Sequence, residues 1–146
     1  MIMEYFDYTQ ADAENDGIGF TVSRYSKKVV IDNTTVGAII FQDTNLKIEQ
    51  SIIDNSDSDE TKLYYKFLNS ANSIYLRKIF FSEEYLFSGA LENLFDYITL
   101  EVIPRDFIIW CNDTSLLRNY IVQIGGFNPP LYELPNSNIL LFSIHK

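Results

Sequence analysis

The sequence has very few of the residues that build metal centres, disulfide frameworks and nucleophilic active sites. It contains one cysteine, Cys111, and one histidine, His145, among 146 residues. A single cysteine cannot form an internal disulfide, so we expect Cys111 to be an inert core thiol in a reducing cytoplasm. His145 has no cysteine, serine or carboxylate at a suggestive spacing, which argues against a zinc site or a catalytic triad.

Positive charge and long apolar runs are also scarce. Eleven Lys and Arg stand against 20 Asp and Glu, giving a formal net charge of −9. That charge repels nucleic-acid phosphates, and no stripe of Lys and Arg overrules it. No run approaches the roughly 20 apolar residues of a membrane span, and the N-terminal segment has acids where a secretory signal needs positive charge. We therefore expect a soluble, cytoplasmic, acidic protein that binds neither nucleic acid nor membrane.

Apolar and aromatic residues, in contrast, are plentiful. The hydrophobic fraction is 47% and the aromatic fraction 15%, which is too high for a disordered chain. A chain of this length buries about two-thirds of its unfolded surface in a single core. We therefore predict one domain, covering residues 1–146.

The stretch from Ile74 to Val102 organises the chain. Ile74–Phe81 is apolar apart from Arg77 and Lys78 and has the composition of a mostly buried strand. A turn follows, and the apolar residues then recur at helical spacing before Pro104; they are Leu91, Leu94, Phe95, Ile98 and Val102. Phe107–Cys111 is a second apolar strand. Strand, helix and strand form a βαβ unit with parallel strands.

The loop of this unit resembles that of the GNAT N-acetyltransferase superfamily. Its members carry an aromatic residue, Arg or Gln, two residues, Gly, one residue, and Gly or Ala, in a loop whose N–H groups hold the pyrophosphate of acetyl-coenzyme A. Aligned without gaps, the four motif positions fall on Tyr85, Leu86, Gly89 and Leu91. Leu94 and Phe95 match the paired apolar positions of the family's helix, and Gly126-Phe127 matches its downstream Gly-Phe, with Val122 at the usual tyrosine.

The resemblance implies a fold, a cofactor and a reaction. The fold is α+β (mixed α/β), with a central, mostly antiparallel sheet, one βαβ unit, flanking helices and a C-terminal β-hairpin. The cofactor is acetyl-coenzyme A, whose acetyl group is transferred to an amine. The residues implied to bind it are Phe81, Ser82, Tyr85, Ser88, Gly89, Ala90 and Leu91. For the catalytic acid and base, the candidates are Tyr120 on the second helix and Glu49 on a half-buried strand.

The remaining elements follow from periodicity and turn residues. Ala11–Gly17 is acidic and predicts a loop, and no helix is expected before residue 57. A helix from the polar cluster at 54–59 to about Leu68 is predicted to bury Leu63, Tyr64, Phe67 and Leu68. The aspartates of that cluster lack the glycine and terminal Glu of a calcium loop, so no metal site is predicted. The predicted strands are Met1–Tyr8, Phe20–Tyr25, Val29–Ile31, Val36–Gln42, Leu46–Ile53, Leu131–Leu134 and Ile139–Ile144, the last two pairing as a hairpin.

Two functions remain open. The first is an N-acetyltransferase acting on an amine, which the acidic surface would attract if it is cationic. The second is a catalytically inactive GNAT-like acidic module that binds a basic protein partner. Gly89 favours the first function, and the residues that favour the second are Leu86, Leu91, Glu83, Glu84 and Val122. Homodimerisation through exposed aromatics such as Tyr64, Tyr65 and Phe87 is compatible with either function.

Overall fold

The structure, a computed structural model, describes residues 2–43, 48–85, 88–104, 107–112, 114, 132–133 and 138–144. Seven strands and four helices alternate in these ranges. The strands are β1 (Met3–Asp7), β2 (Lys27–Ile31), β3 (Thr34–Gln42), β4 (Ser73–Phe81), β5 (Phe107–Asn112), β6 (Tyr132–Glu133) and β7 (Ile139–Ile144). The helices are α1 (Gln10–Asn15), α2 (Gln50–Asp54), α3 (Asp59–Ser70) and α4 (Ala90–Tyr97), and a π-helical turn, Ile98–Val102, extends α4.

All seven strands form one sheet in the order β1-β2-β3-β4-β5-β7-β6. Neighbouring strands are antiparallel except for β4 and β5, which are parallel and are joined through α4. The βαβ unit, the terminal antiparallel pair and the mixed α/β class are therefore confirmed. Helix α4 ends before Pro104, as its periodicity predicted.

The two faces of the sheet carry different helices. Helix α4 covers one face, where Leu91 and Leu94 pack with β2 to β5 and are fully buried. On the other face, α2 and α3 pack around Trp110, and Ala13 of α1 packs against Ile40. In the described part of the chain, no helix is long and apolar enough to cross a membrane. Cys111 is buried, as expected.

Helix α1 shows that the prediction of a loop at Ala11–Gly17 is wrong. The Thr9 hydroxyl accepts from the Asp12 N–H at 3.1 Å, and the Asp12 carboxylate accepts from the Thr9 N–H at 2.8 Å. This reciprocal pair is a capping box, which starts a helix without an apolar repeat. Its signature, Thr followed three residues later by an acid, is present in the sequence.

The strand predicted at Leu46–Ile53 is also wrong, because Gln50–Asp54 is helical. Ile48 and Ile53 both enter the cluster around Trp110. Over so few residues, alternation and helical spacing cannot be told apart. The chain thus has two helices, α2 and α3, between β3 and β4.

Phe20–Tyr25 is not a strand either. Only Val22 forms an isolated bridge, to Gln42. The buried Ser26 hydroxyl accepts from the Phe41 N–H at 2.8 Å and so occupies a backbone group of β3 that a neighbouring strand would use. A buried serine side chain here replaces the regular ladder.

The buried face of α3 differs from the predicted one. Leu68 is buried as expected, together with Tyr65, but Leu63 and Phe67 are 66% and 57% exposed. The helix carries apolar residues over more than one face, and the sheet selects the face that fits Tyr75 and Trp110. The expectation that Tyr65 is an exposed aromatic is therefore wrong, and homodimerisation stays a prediction.

Ser58 is expected to set the stability of α3. Its hydroxyl accepts from the Thr61 N–H at 3.1 Å and caps the helix. Replacing Ser58 with alanine should lower the free energy of unfolding by about 1 kcal/mol, whereas Ser58→Asn should keep it close to wild type. Urea denaturation of both variants measures this. Equal losses in the two variants would contradict a capping role.

Candidate functional site

A β-bulge at Arg77 marks the middle of β4. Ile40 of β3 pairs with Lys78, but its neighbour Phe41 pairs with Leu76, so Arg77 is an extra residue in the ladder. Bulges of this kind bend a strand and redirect its side chains, and they occur frequently next to active sites.

At the same point, β4 and β5 part. Their parallel pairing runs from Ser73 opposite Ile108 to Leu76 opposite Cys111. Beyond it, β4 continues to Phe81 paired with β3, and the described part of β5 offers no partner on the other side. The edge of β4 that faces β5 therefore presents backbone groups inside the sheet. We call this opening the fork.

A pocket of about 170 Å³ lies at the fork. Among the described residues, its lining comes from both strands that part there and from the segment after β5. The lining residues are Tyr75, Leu76, Arg77, Lys78, Ile79, Asn112 and Thr114. The fork pocket combines two cations, a phenol and an amide in a chain of net negative charge.

Tyr75 is the proton-bearing group of the fork pocket. Its hydroxyl donates a hydrogen bond to Oδ1 of Asn112 and so links β4 with the end of β5. Burial raises the pKa of the Tyr75 phenol, and Arg77 only partly opposes this. The raised pKa keeps the phenol protonated at neutral pH, as its hydrogen bond to Asn112 requires.

The loop after β4 leads to the N-terminus of α4. The Ser82 N–H donates to the carbonyl oxygen of Val36 at 2.7 Å, which fixes the start of the loop on β3. A 3-10 turn, Glu83–Tyr85, follows. The Ser88 hydroxyl donates to the Tyr85 carbonyl oxygen at 2.7 Å. Gly89 then adopts φ 87° and ψ −2°, a left-handed conformation that favours glycine.

Gly89 leaves the N-terminus of α4 open. As the N-cap it has no side chain to bind the first helical N–H groups. The first backbone bond of the helix runs from the Asn93 N–H to the Gly89 carbonyl oxygen at 3.0 Å, so the N–H groups of Ala90, Leu91 and Glu92 precede the helical ladder. Of these, the Ala90 N–H donates to the Ser88 hydroxyl oxygen at 3.4 Å, which leaves those of Leu91 and Glu92 as the open donors among the described residues. A Cβ at Gly89 would meet nothing within 4 Å. Open N–H donors at a helix N-terminus are a binding site for anions.

The large side chain at Leu91 does not close this end. Ala90 and Leu91 are 1% and 0% exposed and pack in the core beneath α4. Their backbone N–H groups belong to the first turn of the helix, while their side chains point inward. The loss of the family's small residue at Leu91 is therefore accommodated by the core.

The other predicted cofactor-binding residues follow the same path. Phe81 ends β4 and is buried, Tyr85 packs partly against the core, and Ser82 and Ser88 are exposed. All seven residues predicted to bind the cofactor lie between the end of β4 and the first turn of α4. Leu86 and Phe87 lie outside the described residues.

The predicted catalytic residues are placed less well. Tyr120 lies outside the described residues, as do Val122, Gly126, Phe127 and His145. Glu49 is not on a strand, which corrects its predicted position; it is the exposed N-cap of α2. The described lining of the fork pocket does not include Glu49. Its role as a base stays a prediction.

Sequence reasoning missed Tyr75, Arg77 and Asn112 as site residues. The signal for the bulge was present, because Arg77 and Lys78 interrupt an otherwise apolar strand. Two adjacent charges in a buried strand indicate a place where the strand reaches solvent. The sequence does not show that β5 leaves β4 at this residue, because strand pairing is set by tertiary structure.

No protein-family model and no curated protein matches the chain in sequence. Solved structures do match. The loading GNATL domain of CurA from Lyngbya majuscula matches with a TM-score of 0.50 and 10% identity, over 99% of this chain and 98% of that one. Arylalkylamine N-acetyltransferase 2 from Aedes aegypti matches with a TM-score of 0.44 and 9% identity, over 84% and 73% of the two chains. A GNAT family acetyltransferase from Elizabethkingia anophelis, solved with acetyl-CoA bound, matches with a TM-score of 0.44 and 11% identity, over 83% of this chain and 75% of that one.

At these identities the comparisons show the fold and nothing finer. The CurA domain is matched along almost its full length, and the sheet order, the parallel β4–β5 pair and the intervening helix agree with the fold that the loop predicted. The chain has a GNAT fold.

Proposed function

We propose that this chain, whose fold is that of the GNAT acetyltransferases, transfers an acetyl group from acetyl-coenzyme A to an amine. The observation that carries the proposal is the coincidence of two features on one strand. The bulge at Arg77 lies where β4 leaves β5, and the same strand ends at Phe81, from which the chain leads through a loop to the N-terminus of α4 at Ala90. The fork is suited to bind an extended chain, and the N-terminus of α4 is suited to bind an anion.

The N-terminus of α4 is the part of the structure that would bind the pyrophosphate of acetyl-coenzyme A. Its first N–H groups are uncapped at Gly89, and the helix dipole adds roughly half a positive charge there. Ser88, Gly89, Ala90 and Leu91 would hold the pyrophosphate through their backbone. The exposed acids Glu83 and Glu84 oppose this by roughly 1 kcal/mol each.

The fork is the part of the structure that would bind the extended pantetheine arm and the acetyl group of acetyl-coenzyme A. Beyond Leu76, the edge of β4 that faces β5 has no strand partner among the described residues, and its backbone groups could hydrogen-bond an extended, amide-bearing chain in the manner of an added strand. Bound acetyl-coenzyme A would supply an activated acetyl thioester. Tyr75, protonated at neutral pH, is a second candidate for the acid beside Tyr120, because it lines the fork pocket. For the base, Glu49 remains the proposed residue.

Calorimetric titration of the full chain with acetyl-coenzyme A tests the proposal. We expect binding with a dissociation constant in the micromolar range, equivalent to about −8 kcal/mol. A panel of primary amines should then reveal acetylation, followed through release of free thiol. Neither heat nor a thermal shift at millimolar acetyl-coenzyme A would contradict the proposal.

That negative result would favour the second function, an acidic module for a basic protein partner. The exposed Glu83 and Glu84 beside the cradle are the observation in its favour. Such a module would bind a cationic peptide with an affinity that falls steeply between low and physiological salt.

A further inference from the structure

We propose that the fork pocket selects an amine that also carries a carboxylate, and that Arg77 binds this carboxylate. The inference rests on the proposed function and names its acceptor class, namely amino acids rather than simple cationic amines. It reverses the expectation from net charge alone, according to which an acidic chain attracts a purely cationic acceptor.

Arg77 is held in one position by neutral groups. Its Nη1 donates to Oε1 of Gln42 at 2.8 Å, and its guanidinium carbon lies 4.5 Å from the ring centre of Phe20 and 5.4 Å from that of Tyr75. Aromatic faces and an amide orient a guanidinium group without neutralising it. The group is therefore pre-organised, which lowers the entropic cost of binding an anion.

The charge of Arg77 is uncompensated within the described part of the chain. The ion pairs found there join Lys27 to Asp7 and Lys28 to Asp12, and neither involves Arg77. The planar donor fork of arginine matches a carboxylate through two parallel hydrogen bonds. An arginine that is oriented by neutral groups, and that has no ion pair with a described residue, is thus suited to bind a carboxylate of the ligand.

The position of Arg77 points to the acceptor rather than to the phosphates of the cofactor. Its partner Phe20 packs with Ile40, and its partner Tyr75 packs with Trp110, in the two clusters on the face away from α4. The open N–H groups of α4 belong to the other face. Arg77 also precedes Phe81 by four residues, which is about 13 Å along a strand. A carboxylate on Arg77 would place the rest of the acceptor near Tyr75.

The test compares three amino acids with their α-carboxamides, in which an uncharged amide replaces the α-carboxylate and every other group is kept. L-phenylalanine, L-glutamate and L-lysine, each beside its α-carboxamide, are titrated into the full chain while the backbone amide signals of residues 75–79 are followed by NMR, with and without coenzyme A. We expect at least one amino acid to bind about tenfold or more tightly than its amide, as a charge-assisted pair predicts. Arg77→Gln should remove the difference, and Arg77→Lys should keep only part of it.

Arg24→Gln is the matched control. Arg24 is also a tyrosine-stacked arginine, with its guanidinium carbon 5.0 Å from the ring centre of Tyr25, but the described lining of the fork pocket does not include it. This variant should keep the preference for the carboxylate. Equal binding of acids and amides, absence of binding by all three acids, or a loss shared by Arg24→Gln would overturn the proposal.

Coenzyme A separates the two proposals. If Arg77→Gln weakens the binding of acetyl-coenzyme A about tenfold and leaves the affinities of the amino acids unchanged, Arg77 binds the cofactor. The inference is then overturned, while the proposed function stands. If acetyl-coenzyme A fails to bind but the carboxylate preference persists and depends on Arg77, the binding site stands and the acetyl transfer fails.

Discussion

Replacing Gly89 with aspartate should abolish the binding of acetyl-coenzyme A. The new carboxylate would stand at the N-terminus of α4, where the Leu91 and Glu92 N–H groups precede the helical ladder and a Cβ meets no neighbour. Two unit charges 4 Å apart repel by about 4 kcal/mol near a protein surface, so the dissociation constant should rise several-hundred-fold. Calorimetric titration of the variant measures this rise.

Gly89→Asn is the matched control for that variant. Asparagine and aspartate have the same shape, both tolerate a positive φ better than other non-glycine residues, and both cap helices well. Their folding stabilities should therefore be similar, and only the charge differs. We expect Gly89→Asn to weaken acetyl-coenzyme A by about tenfold at most. Equal affinities in the two variants would show that the pyrophosphate does not lie at α4.

Replacing Gly37 with alanine should destabilise the sheet where β4 ends. Gly37 pairs with Phe81 across β3 and β4, and the ring of Phe81 lies over it. A Cβ on Gly37 would lie 2.4 Å from Cδ1 of that ring, which is too close for the structure to remain unchanged. We expect a loss of about 1–3 kcal/mol in the free energy of unfolding, the usual cost of overpacking. Urea denaturation provides the measurement.

A double variant tests whether Phe81 is the cause. In Gly37→Ala/Phe81→Leu, the smaller side chain should remove the clash, so the combined loss should fall below the sum of the two single losses by at least about 0.5 kcal/mol. Gly19→Ala is the control, since a Cβ there meets nothing within 4 Å. Additive losses in the double variant would mean that the cost of Gly37→Ala arises elsewhere.

The same contact connects stability with the candidate site. Phe81 is the last residue of β4, and the Ser82 N–H bonds the Val36 carbonyl oxygen beside Gly37. Moving the ring would shift the loop that leads to Gly89. Gly37→Ala should therefore also weaken the binding of acetyl-coenzyme A, although Gly37 is not among the residues proposed to bind the cofactor.

Prediction from sequence succeeded where one period extends over a long element. Ile98 and its helical partners gave α4, and the apolar runs gave β3, β4, β5 and β7. It failed in short segments and in a helix that carries apolar residues on more than one face. Helix α1 begins with a capping box and α2 has five residues, so neither has room for a repeat. In α3, there are more apolar residues than one face can bury. The helical period alone predicted that Phe67 is buried, whereas the structure buries Tyr65.

For the candidate site, the loop was readable and the fork was not. Gly89 and the following helix are a local pattern, since the loop motif and the apolar repeat both lie within a few positions of the chain, whereas the left-handed conformation of Gly89 is seen only in the structure. Tyr75, Arg77 and Asn112 come together only because β4 contains an extra residue and β5 pairs with four of its positions.

The sequence by itself determined the order of the main elements, the parallel βαβ unit and the loop that leads to Gly89, because these depend on periods and turn residues within a few positions of the chain. Only the tertiary structure decided which face of α3 is buried, that Leu91 fills the core instead of the cradle, and where β4 and β5 part. Those outcomes depend on which distant side chains and strands compete for the same partners, and such competition has no signature within a short stretch of sequence.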